Sequence, residues 1–465
     1  MEKKLLLLSI LCALILALLM GAIYKYLMNQ EYLKEKNNFG AQVEKIIEAE
    51  LFDQDINQIE QSKSGGNQYN KYYMFYSKTE KKNTINELEA QTRAASQQMK
   101  GFRSMILSYV DEEKVNDKIV NRNLITKKYI WDKKEKSLNY SGKVIELSEI
   151  LLYNNRNEPR LKDIINDEAD FLAIKRIMQE QVLNIHASSK STLDNEEISY
   201  VLASDFLTND SKITIYPHTL EFIFDKEIFG IKKMSISFEK ILPFINPEIV
   251  SDKYLSIKEL DTEKKYVALT FDDGPNDTST IELLEKLKKE NVKATFFVLG
   301  QMVDRNPEVA KQIVREGHEI GSHSYTHPDL TQLNSSEIKE EVLKTDKAVF
   351  HATGVLPKNF RPPYGAINGS VAQKIGLPII QWNVDSEDWK VINKELIVDK
   401  VVQSVEHGSI ILLHDIHETS VNSIPEIVNQ LKKNGYEFVT VSELLSYSQK
   451  PLNQYFGIND NRKFK

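Results

Sequence analysis

Short apolar runs alternate with longer amphipathic stretches between residues 262 and 448. The runs have the composition of buried strands, and the stretches carry apolar residues at helical spacing. The predicted strands are residues 267–271, 294–299, 318–322, 359–361, 378–384, 409–413 and 437–440. The predicted helices are residues 278–290, 307–316, 335–353, 369–375, 394–407, 421–434 and 441–447. This alternation predicts an α/β fold, and seven strand–helix units favour a parallel barrel over an open sheet.

Residues 5–24 form a nearly unbroken apolar run behind Lys3 and Lys4. About 20 apolar residues span the hydrocarbon core of a bilayer, whereas a cleaved signal peptide usually has an apolar region of roughly 7–15 residues. The run therefore predicts an uncleaved membrane anchor, and cleavage near Gly21 and Ala22 is the alternative. Positive charge at the short end predicts a cytoplasmic N-terminus, with the chain after about residue 27 outside the membrane.

The region between this anchor and residue 262 has no single pattern. Apolar residues at helical spacing, including Val43, predict a helical stalk, and strand-like runs mixed with helical ones farther along predict an α+β domain. The predicted divisions are residues 1–28 as cytoplasmic tip and anchor, 29–118 as helical stalk and linker, 119–250 as an α+β domain, 262–448 as the α/β domain and 449–465 as a C-terminal tail. No chemistry is indicated before residue 250, because His186 and His218 are isolated.

Composition narrows the classes of function. Of 465 residues, 41% are hydrophobic and 27% are charged, as in an ordinary globular protein. A net charge of −7 without a concentrated basic stripe argues against a nucleic-acid binder. The single cysteine, Cys12, lies in the apolar run, so neither a disulfide framework nor a cysteine-based zinc site is expected. Seven of the nine histidines lie at or after His318, which directs the search for metal ligands to the C-terminal third.

Two adjacent carboxylates end the strand-like run 267–271. Asp272 and Asp273 precede Gly274 and Pro275, which break the strand. Because neighbouring side chains of a strand point to opposite faces, the two aspartates should have different tasks, one as a metal ligand and one as a base. The alternative interpretation is a turn or a helix N-cap, since Asp-Gly-Pro is common in turns.

Four later stretches favour chemistry over a simple turn. They are His323-Ser-Tyr-Thr-His327, Arg361-Pro-Pro-Tyr-Gly365, Asp385-Ser-Glu-Asp-Trp389 and His414-Asp415. Together with Val267-Ala-Leu-Thr-Phe-Asp-Asp-Gly-Pro275, they resemble the five motifs of the polysaccharide deacetylase family, also called the NodB-homology domain or carbohydrate esterase family 4, in that family's order. The resemblance covers residues 262–448. It implies a distorted (β/α)7 barrel with an open side, which suits a polymeric substrate.

Asp273, His323 and His327 form a predicted metal site of one carboxylate and two imidazoles. Nitrogen and oxygen ligands suit zinc, with cobalt or another divalent metal as alternatives. By the resemblance, Asp272 is the base that takes a proton from the attacking water, and Arg361 keeps this carboxylate ionised and oriented. The alternatives are that the two histidines only close a loop and that Arg361 forms a surface ion pair.

The resemblance also assigns the remaining groups of the site. The backbone N–H of Tyr364 would join the metal in stabilising the oxyanion, and its ring would either contact substrate or only pack. His414 would be the general acid that protonates the leaving amine, with Asp388 as its carboxylate partner. Trp382 and Leu412 would form the pocket for the acetyl methyl group, although both also fit a hydrophobic core.

The activity that the resemblance implies is hydrolysis of N-acetyl groups on a carbohydrate polymer. An anchored, outward-facing enzyme meets the cell wall first, so the expected substrate is N-acetylglucosamine in peptidoglycan glycan strands, and the free amines left behind should hinder lysozyme. The expected location is the cell membrane, single-pass, with the catalytic domain extracellular. Two alternatives stay open: a deacetylase of poly-N-acetylglucosamine, chitin or xylan, and a catalytically silent wall-binding protein. The sequence identifies no protein partner.

Overall fold

The computed structural model divides the chain into two compact units. It describes residues 2–52, 61–66, 70–77, 80, 82–97, 103–115, 118–152, 159–189, 193–249 and 260–464. One unit comprises Met1–Asn157 and Ile215–Pro217, and the other comprises Glu158–Thr214 and His218–Lys465. This division runs through the region 119–250, so the predicted domain boundaries stay predictions.

The first unit combines helices with a mixed sheet. Its helices are α1 (Glu2–Phe52) and α2 (Lys82–Gln97), and its strands are β1 (Gln61–Gly66), β2 (Asn70–Tyr76), β3 (Ser104–Lys114), β4 (Ile119–Asp132) and β5 (Ser137–Leu152). The strands pair in chain order, with β2 and β3 parallel and the other pairs antiparallel. The second half of α1 packs on this sheet: Phe39 and Val43 are buried with Trp131, and Glu35 lies 3.0 Å from the guanidinium of Arg103. This part of the predicted stalk is therefore packed rather than free.

The predicted membrane anchor, residues 5–24, lies on α1. The side chains of residues 1–13 lie outside those that the structure describes. Within the described part of the chain, no helix combines the length and the apolar content that crossing a membrane requires.

The segment from residue 159 to residue 249 is mixed helix and strand. Its elements are α3 (Glu168–Ser189), α4 (Asn195–Ala203), β6 (Ile213–Ile215), β7 (Thr219–Ile228), β8 (Ile231–Ser237) and α5 (Phe238–Ile241). Asp194 begins α4 by accepting from the backbone N–H groups of Glu196 and Glu197, as an N-cap should. The apolar face of α3, including Ile174 and Met178, is fully buried.

Strands and helices alternate from residue 265 to the C-terminus. The strands are β9 (Lys265–Asp272), β10 (Thr295–Val298), β11 (Glu319–Ser322), β12 (Ile379–Ile380), β13 (Val384–Asp385), β14 (Ser409–His414), β15 (Tyr436–Phe438), β16 (Asn453–Gly457) and β17 (Asp460–Lys463). The helices are α6 (Ser279–Glu290), α7 (Gly300–Arg305), α8 (Pro307–Arg315), α9 (Ser335–Thr353), α10 (Gly369–Ile375), α11 (Lys394–Ser404), α12 (Glu418–Lys433) and α13 (Val441–Leu444). The predicted α/β class is confirmed for this region.

Parallel pairing joins the central strands so that their carboxyl ends meet. β9 lies between β10 and β14, and β11 continues the sheet beyond β10. Phe360 bridges β11 to β12, and β12 connects through β16 back to β14. The motifs at the ends of β9, β11 and β14 therefore lie at one edge of the sheet.

Three segments differ from the predicted elements. The predicted strand 359–361 is reduced to bridges at Phe360. The predicted strand 378–384 is split into β12 and β13, and between them the carbonyl oxygen of Gln381 accepts a hydrogen bond from the guanidinium of Arg361 (3.0 Å). The predicted tail 449–465 contains the strands β16 and β17.

Candidate active site

The alternation of side chains along β9 separates a core face from a functional face. Leu269 and Phe271 are buried in the cluster that also contains residues of the surrounding helices. Thr270 and Asp272 therefore lie on the opposite face, toward the site. Asp273 follows with φ 79°, a left-handed conformation that side-chain-bearing residues seldom adopt. The strand pattern and this turn give the two aspartates different surroundings.

Asp272 is held by a buried guanidinium. Arg361 is 0% exposed, and its Nη1 donates to Asp272 Oδ1 (2.9 Å) and to Thr270 Oγ1 (2.6 Å). Its Nε and Nη2 donate to the carbonyl oxygens of Ile380 (3.3 Å) and Gln381 (3.0 Å). Burial raises the pKa of Asp272, and the charge of Arg361 opposes that rise. Arg361 therefore fixes the orientation of this carboxylate and is not part of a surface ion pair.

Asp273, His323 and His327 come together in front of Asp272. Asp273 Oδ1 lies 3.6 Å from His323 Nε2 and 3.5 Å from His327 Nε2. One ligand atom from each of the three residues lies within 4.8 Å of the others. A tetrahedral zinc ion about 2.1 Å from each ligand atom would hold such atoms about 3.4 Å apart. The spacing therefore fits a divalent metal.

Two further observations support a metal at this point. Asp273 Oδ1 is buried and, within the described residues, accepts no hydrogen bond, although a buried carboxylate oxygen normally has a partner. His323 Nδ1 donates to the carbonyl oxygen of Arg361 (2.7 Å), which leaves the lone pair of Nε2 directed at Asp273. Burial lowers the pKa of His323 to about 3, so this imidazole is neutral, as a ligand must be.

His414 and Asp388 form a second pair beside Asp272. His414 ends β14 and lies opposite Asp272 in the parallel pairing of β14 with β9. Its Nδ1 lies 2.8 Å from Asp388 Oδ1, and its backbone N–H donates to Asp388 Oδ2 (2.8 Å). Burial alone would lower the pKa of His414, but the hydrogen bond and charge of Asp388 outweigh burial and raise it to about 9. The pair therefore places an imidazolium next to the carboxylate of Asp272.

The other predicted site residues lie around these groups. Tyr364 is 72% exposed, and its ring lies edge-on to His327, with 4.6 Å between the ring centroids. Tyr364 has φ 60°, in the left-handed region that residues with a Cβ seldom adopt. The indole of Trp382 is partly buried, 5.7 Å from the guanidinium of Arg361, and Leu412 is buried on β14 two residues before His414.

Several supporting residues have no signature in the sequence. Ser420 donates to Asp388 Oδ2 (2.5 Å) from the first turn of α12, and Thr270 shares Arg361 Nη1 with Asp272. Glu341 of α9 accepts hydrogen bonds from the loop between the two histidine ligands. Each contact joins elements that are distant in sequence, so spacing could not reveal it.

Three groups lie together in the site: a carboxylate–imidazole metal site, a carboxylate held by arginine, and an imidazolium–carboxylate pair. These are the parts of a metal-assisted hydrolase, because they can bind a Lewis acid, accept a proton and donate one. The family model described as polysaccharide deacetylase matches residues 259–380. The chain belongs to the polysaccharide deacetylase family, a membership that rests on a relative matched over most of both chains.

That relative is the peptidoglycan-N-acetylglucosamine deacetylase PgdA of Listeria monocytogenes, 34% identical over 377 residues, which are 81% of this chain and 76% of the relative. The peptidoglycan-N-acetylmuramic acid deacetylase PdaC of Bacillus subtilis is 43% identical over 185 residues, 40% of each chain. A solved structure of the peptidoglycan deacetylase PdaC covers 40% of this chain and 92% of its own, with 43% identity and a TM-score of 0.39.

Proposed function

We propose that the protein is a metal-dependent hydrolase that removes N-acetyl groups from N-acetylglucosamine residues of peptidoglycan. One observation carries the chemistry: the buried Oδ1 of Asp273, which has no hydrogen-bond partner among the residues that the structure describes, faces two imidazole nitrogens beside Asp272. The relative named as a peptidoglycan-N-acetylglucosamine deacetylase, similar over most of its length, supports the substrate. The free amines left on the glycan hinder lysozyme, which gives the cell resistance to that enzyme.

Asp273, His323 and His327 hold the metal, and zinc is the proposed ion because its preferred ligands include imidazole nitrogen and carboxylate oxygen. When bound, the metal supplies a Lewis acid that lowers the pKa of water from 15.7 to about 7 and polarises the acetyl carbonyl. Asp272 accepts the proton of the attacking water, while Arg361 keeps Asp272 Oδ1 in place. Cobalt and other divalent ions are alternatives that metal analysis of the purified protein separates.

The leaving group needs a proton, because an amide anion does not depart near neutral pH. His414 donates this proton from Nε2 to the glucosamine nitrogen as the C–N bond breaks, and Asp388 on Nδ1 holds the imidazolium in place. The backbone N–H of Tyr364 donates to the oxyanion. Trp382 and Leu412 enclose the acetyl methyl group. Water thus adds its OH to the acetyl carbon, its proton passes to Asp272, and the amine leaves with the proton of His414. Transfer of a proton through solvent from Asp272 to His414 then restores both groups.

We extend the proposal to the fold and the location. The closed path of strand pairings through β9, β11, β12 and β14 supports a distorted (β/α)7 barrel, in which a polymer lies across the open side. The apolar run 5–24 behind Lys3 and Lys4 supports a membrane anchor with the catalytic unit facing the wall. Protease added to wall-stripped cells should digest the catalytic unit, and its protection would refute this location.

Acetate release from a panel of substrates tests the function. The panel contains peptidoglycan glycans, a chito-oligosaccharide, poly-N-acetylglucosamine, chitin and acetylated xylan. We expect peptidoglycan to be preferred, with mass spectrometry locating the free amine on glucosamine in wall fragments from producing cells. A free amine on muramic acid would move the target to the other sugar of the strand. A metal-loaded protein that releases no acetate from any substrate would be a silent wall-binding protein.

A further inference from the structure

The loop 323–327, which carries both histidine ligands, has an unusual backbone. Ser324 and His327 have φ values of 69° and 66°, in the left-handed region that residues with a Cβ seldom adopt. Two such residues within five positions require contacts from outside the loop to maintain this conformation. The direction of the His327 side chain depends on these contacts.

The carbonyl groups of the loop are held by the first turn of α7. The backbone N–H groups of Gly300 and Gln301 donate to the carbonyl oxygens of Ser324 (3.0 Å) and Tyr325 (3.2 Å). The loop also closes on itself, since the backbone N–H of His327 donates to Ser324 Oγ (3.0 Å). These contacts do not involve the backbone N–H groups of Tyr325 and Thr326 at the centre of the loop, which need acceptors from another part of the chain.

Glu341 of α9 satisfies both of these groups with one carboxylate. Its Oε2 accepts from the backbone N–H groups of Tyr325 (2.7 Å) and Thr326 (2.8 Å), and its Oε1 accepts from Thr326 Oγ1 (2.8 Å). Hydrogen bonds to a charged acceptor are roughly twice as strong as those between neutral groups. A single side chain therefore binds the part of the loop that lies between the two ligands.

The helix that presents Glu341 is firmly placed. Asn334 caps its N-terminus, Gly354 ends it, and Val342 and Val349 are buried. A carboxylate on a rigid helix holds the loop that it binds in place more firmly than a group on another loop would.

We propose that Glu341 is a positioning residue for the metal site: it holds loop 323–327 so that the Nε2 atoms of His323 and His327 face Asp273 Oδ1. The proposal rests on the metal site of the proposed function. Glu341 acts through the backbone of Tyr325 and Thr326, and removing such outer contacts typically lowers metal affinity 10–100-fold.

Zinc affinity of the full chain, measured by competition with a chromogenic chelator, tests this role. Glu341→Ala should weaken zinc binding 10–100-fold. Glu341→Gln keeps the shape of the side chain but has only one accepting oxygen, so its zinc affinity should lie between those of Glu341→Ala and the wild type. Thr326→Val removes one of the three donors and should have the smallest effect. The matched control is Glu340→Gln, because the neighbouring Glu340 is exposed and pairs only with Lys344 in the described part of the chain.

Thermal unfolding of the zinc-free proteins separates positioning from general stability. We expect Glu341→Gln to unfold within a few degrees of Glu340→Gln while its zinc affinity is clearly lower. Equal zinc affinity of the Glu341→Gln and Glu340→Gln variants would overturn the proposal and leave the metal site intact. Failure of the wild type to bind zinc or another divalent metal would instead refute the metal site and, with it, this role.

Discussion

Two histidines of the site, the buried His323 and the partly buried His414, have pKa values shifted in opposite directions. The pKa of His323 is lowered to about 3, and that of His414 is raised to about 9. Burial is the largest single influence on both, and it favours the neutral form in both. Burial therefore does not explain why the two pKa shifts have opposite signs, and the rise at His414 must come from its partners.

The partner of Nδ1 differs between the two rings. His323 Nδ1 donates to a neutral carbonyl oxygen, that of Arg361, whereas His414 Nδ1 faces the carboxylate of Asp388. For His323, burial lowers the pKa more than Asp273 and the carbonyl of Arg361 raise it, whereas for His414 the hydrogen bond and charge of Asp388 raise the pKa more than burial lowers it. In both residues Nε2 remains for chemistry, as a lone pair at His323 and as a proton at His414. One amino acid thus supplies a metal ligand and an acid within the same site.

The largest loss of activity is expected from removing His323, whose Nε2 lone pair is a predicted metal ligand. His323→Ala should lose bound metal and should reduce deacetylation to the level of the chelator-treated enzyme, because only Asp273 and His327 remain as ligands. Metal content by mass spectrometry and acetate release check this result. Asp272→Asn is the control: it should keep its metal while activity falls about 10²–10⁴-fold. Loss of metal in Asp272→Asn but not in Asp273→Asn would show that the two aspartates have exchanged roles.

Removing the proton donor should have the next largest effect. His414→Ala should lower kcat/KM on an N-acetylated oligosaccharide about 10²–10⁴-fold, because the amine then leaves without protonation. Activated aryl acetates should lose much less, since their leaving groups depart as anions. Equal losses on the two substrates, at unchanged metal content, would assign His414 to oxyanion or substrate binding instead.

Removing the charge of Asp388, the partner of His414, should shift the alkaline limb of the pH profile rather than abolish activity. The pKa of about 9 lies above the ordinary value of 6.5, so the acid form is complete below 6.5 and is lost as pH rises through 9. Asp388→Asn removes the carboxylate charge, so the alkaline limb of the kcat/KM profile should move to lower pH. The acidic limb should move less. An alkaline limb that stays in place would show that Asp388 does not set the proton affinity of His414.

The sequence predicted those features of the site that follow from the local geometry of a single strand or helix. The pleat of a strand separates Asp272 from Asp273, and the predicted helix 335–353 is α9, which Asn334 and Glu337 begin as a capping box and Gly354 ends. Contacts such as Ser420 with Asp388 were not predictable, because they depend on how helices that are far apart in sequence settle on the sheet. Arg176 of α3 lies outside all five motifs, and its contact with Asp346 on α9 was not predictable for the same reason.

The smallest effect on catalysis is expected from Arg176 of α3, which contacts α9, the helix that carries Glu341. Its two terminal nitrogens donate to both carboxylate oxygens of Asp346 on α9 (2.7 and 2.6 Å), and the guanidinium also donates to the carbonyl oxygen of Pro357. The two side chains are only 14% and 4% exposed, so breaking this pair leaves a buried charge. Arg176→Ala should therefore lower the free energy of unfolding by about 3–5 kcal/mol, measured by denaturant titration.

The neighbouring Lys175→Ala is the matched control, because Lys175 pairs with the largely exposed Asp205 and such pairs contribute about 0–1 kcal/mol. Arg176→Ala should leave the alkaline limb set by His414 in place, since α9 holds the histidine loop and not Asp388. A shift of that limb would mean that the two sides of the site are coupled through the fold. A loss of stability no greater than that of Lys175→Ala would mean that α3 does not brace α9, and that residues 262–448 depend less on the preceding segment than the contacts of Arg176 imply.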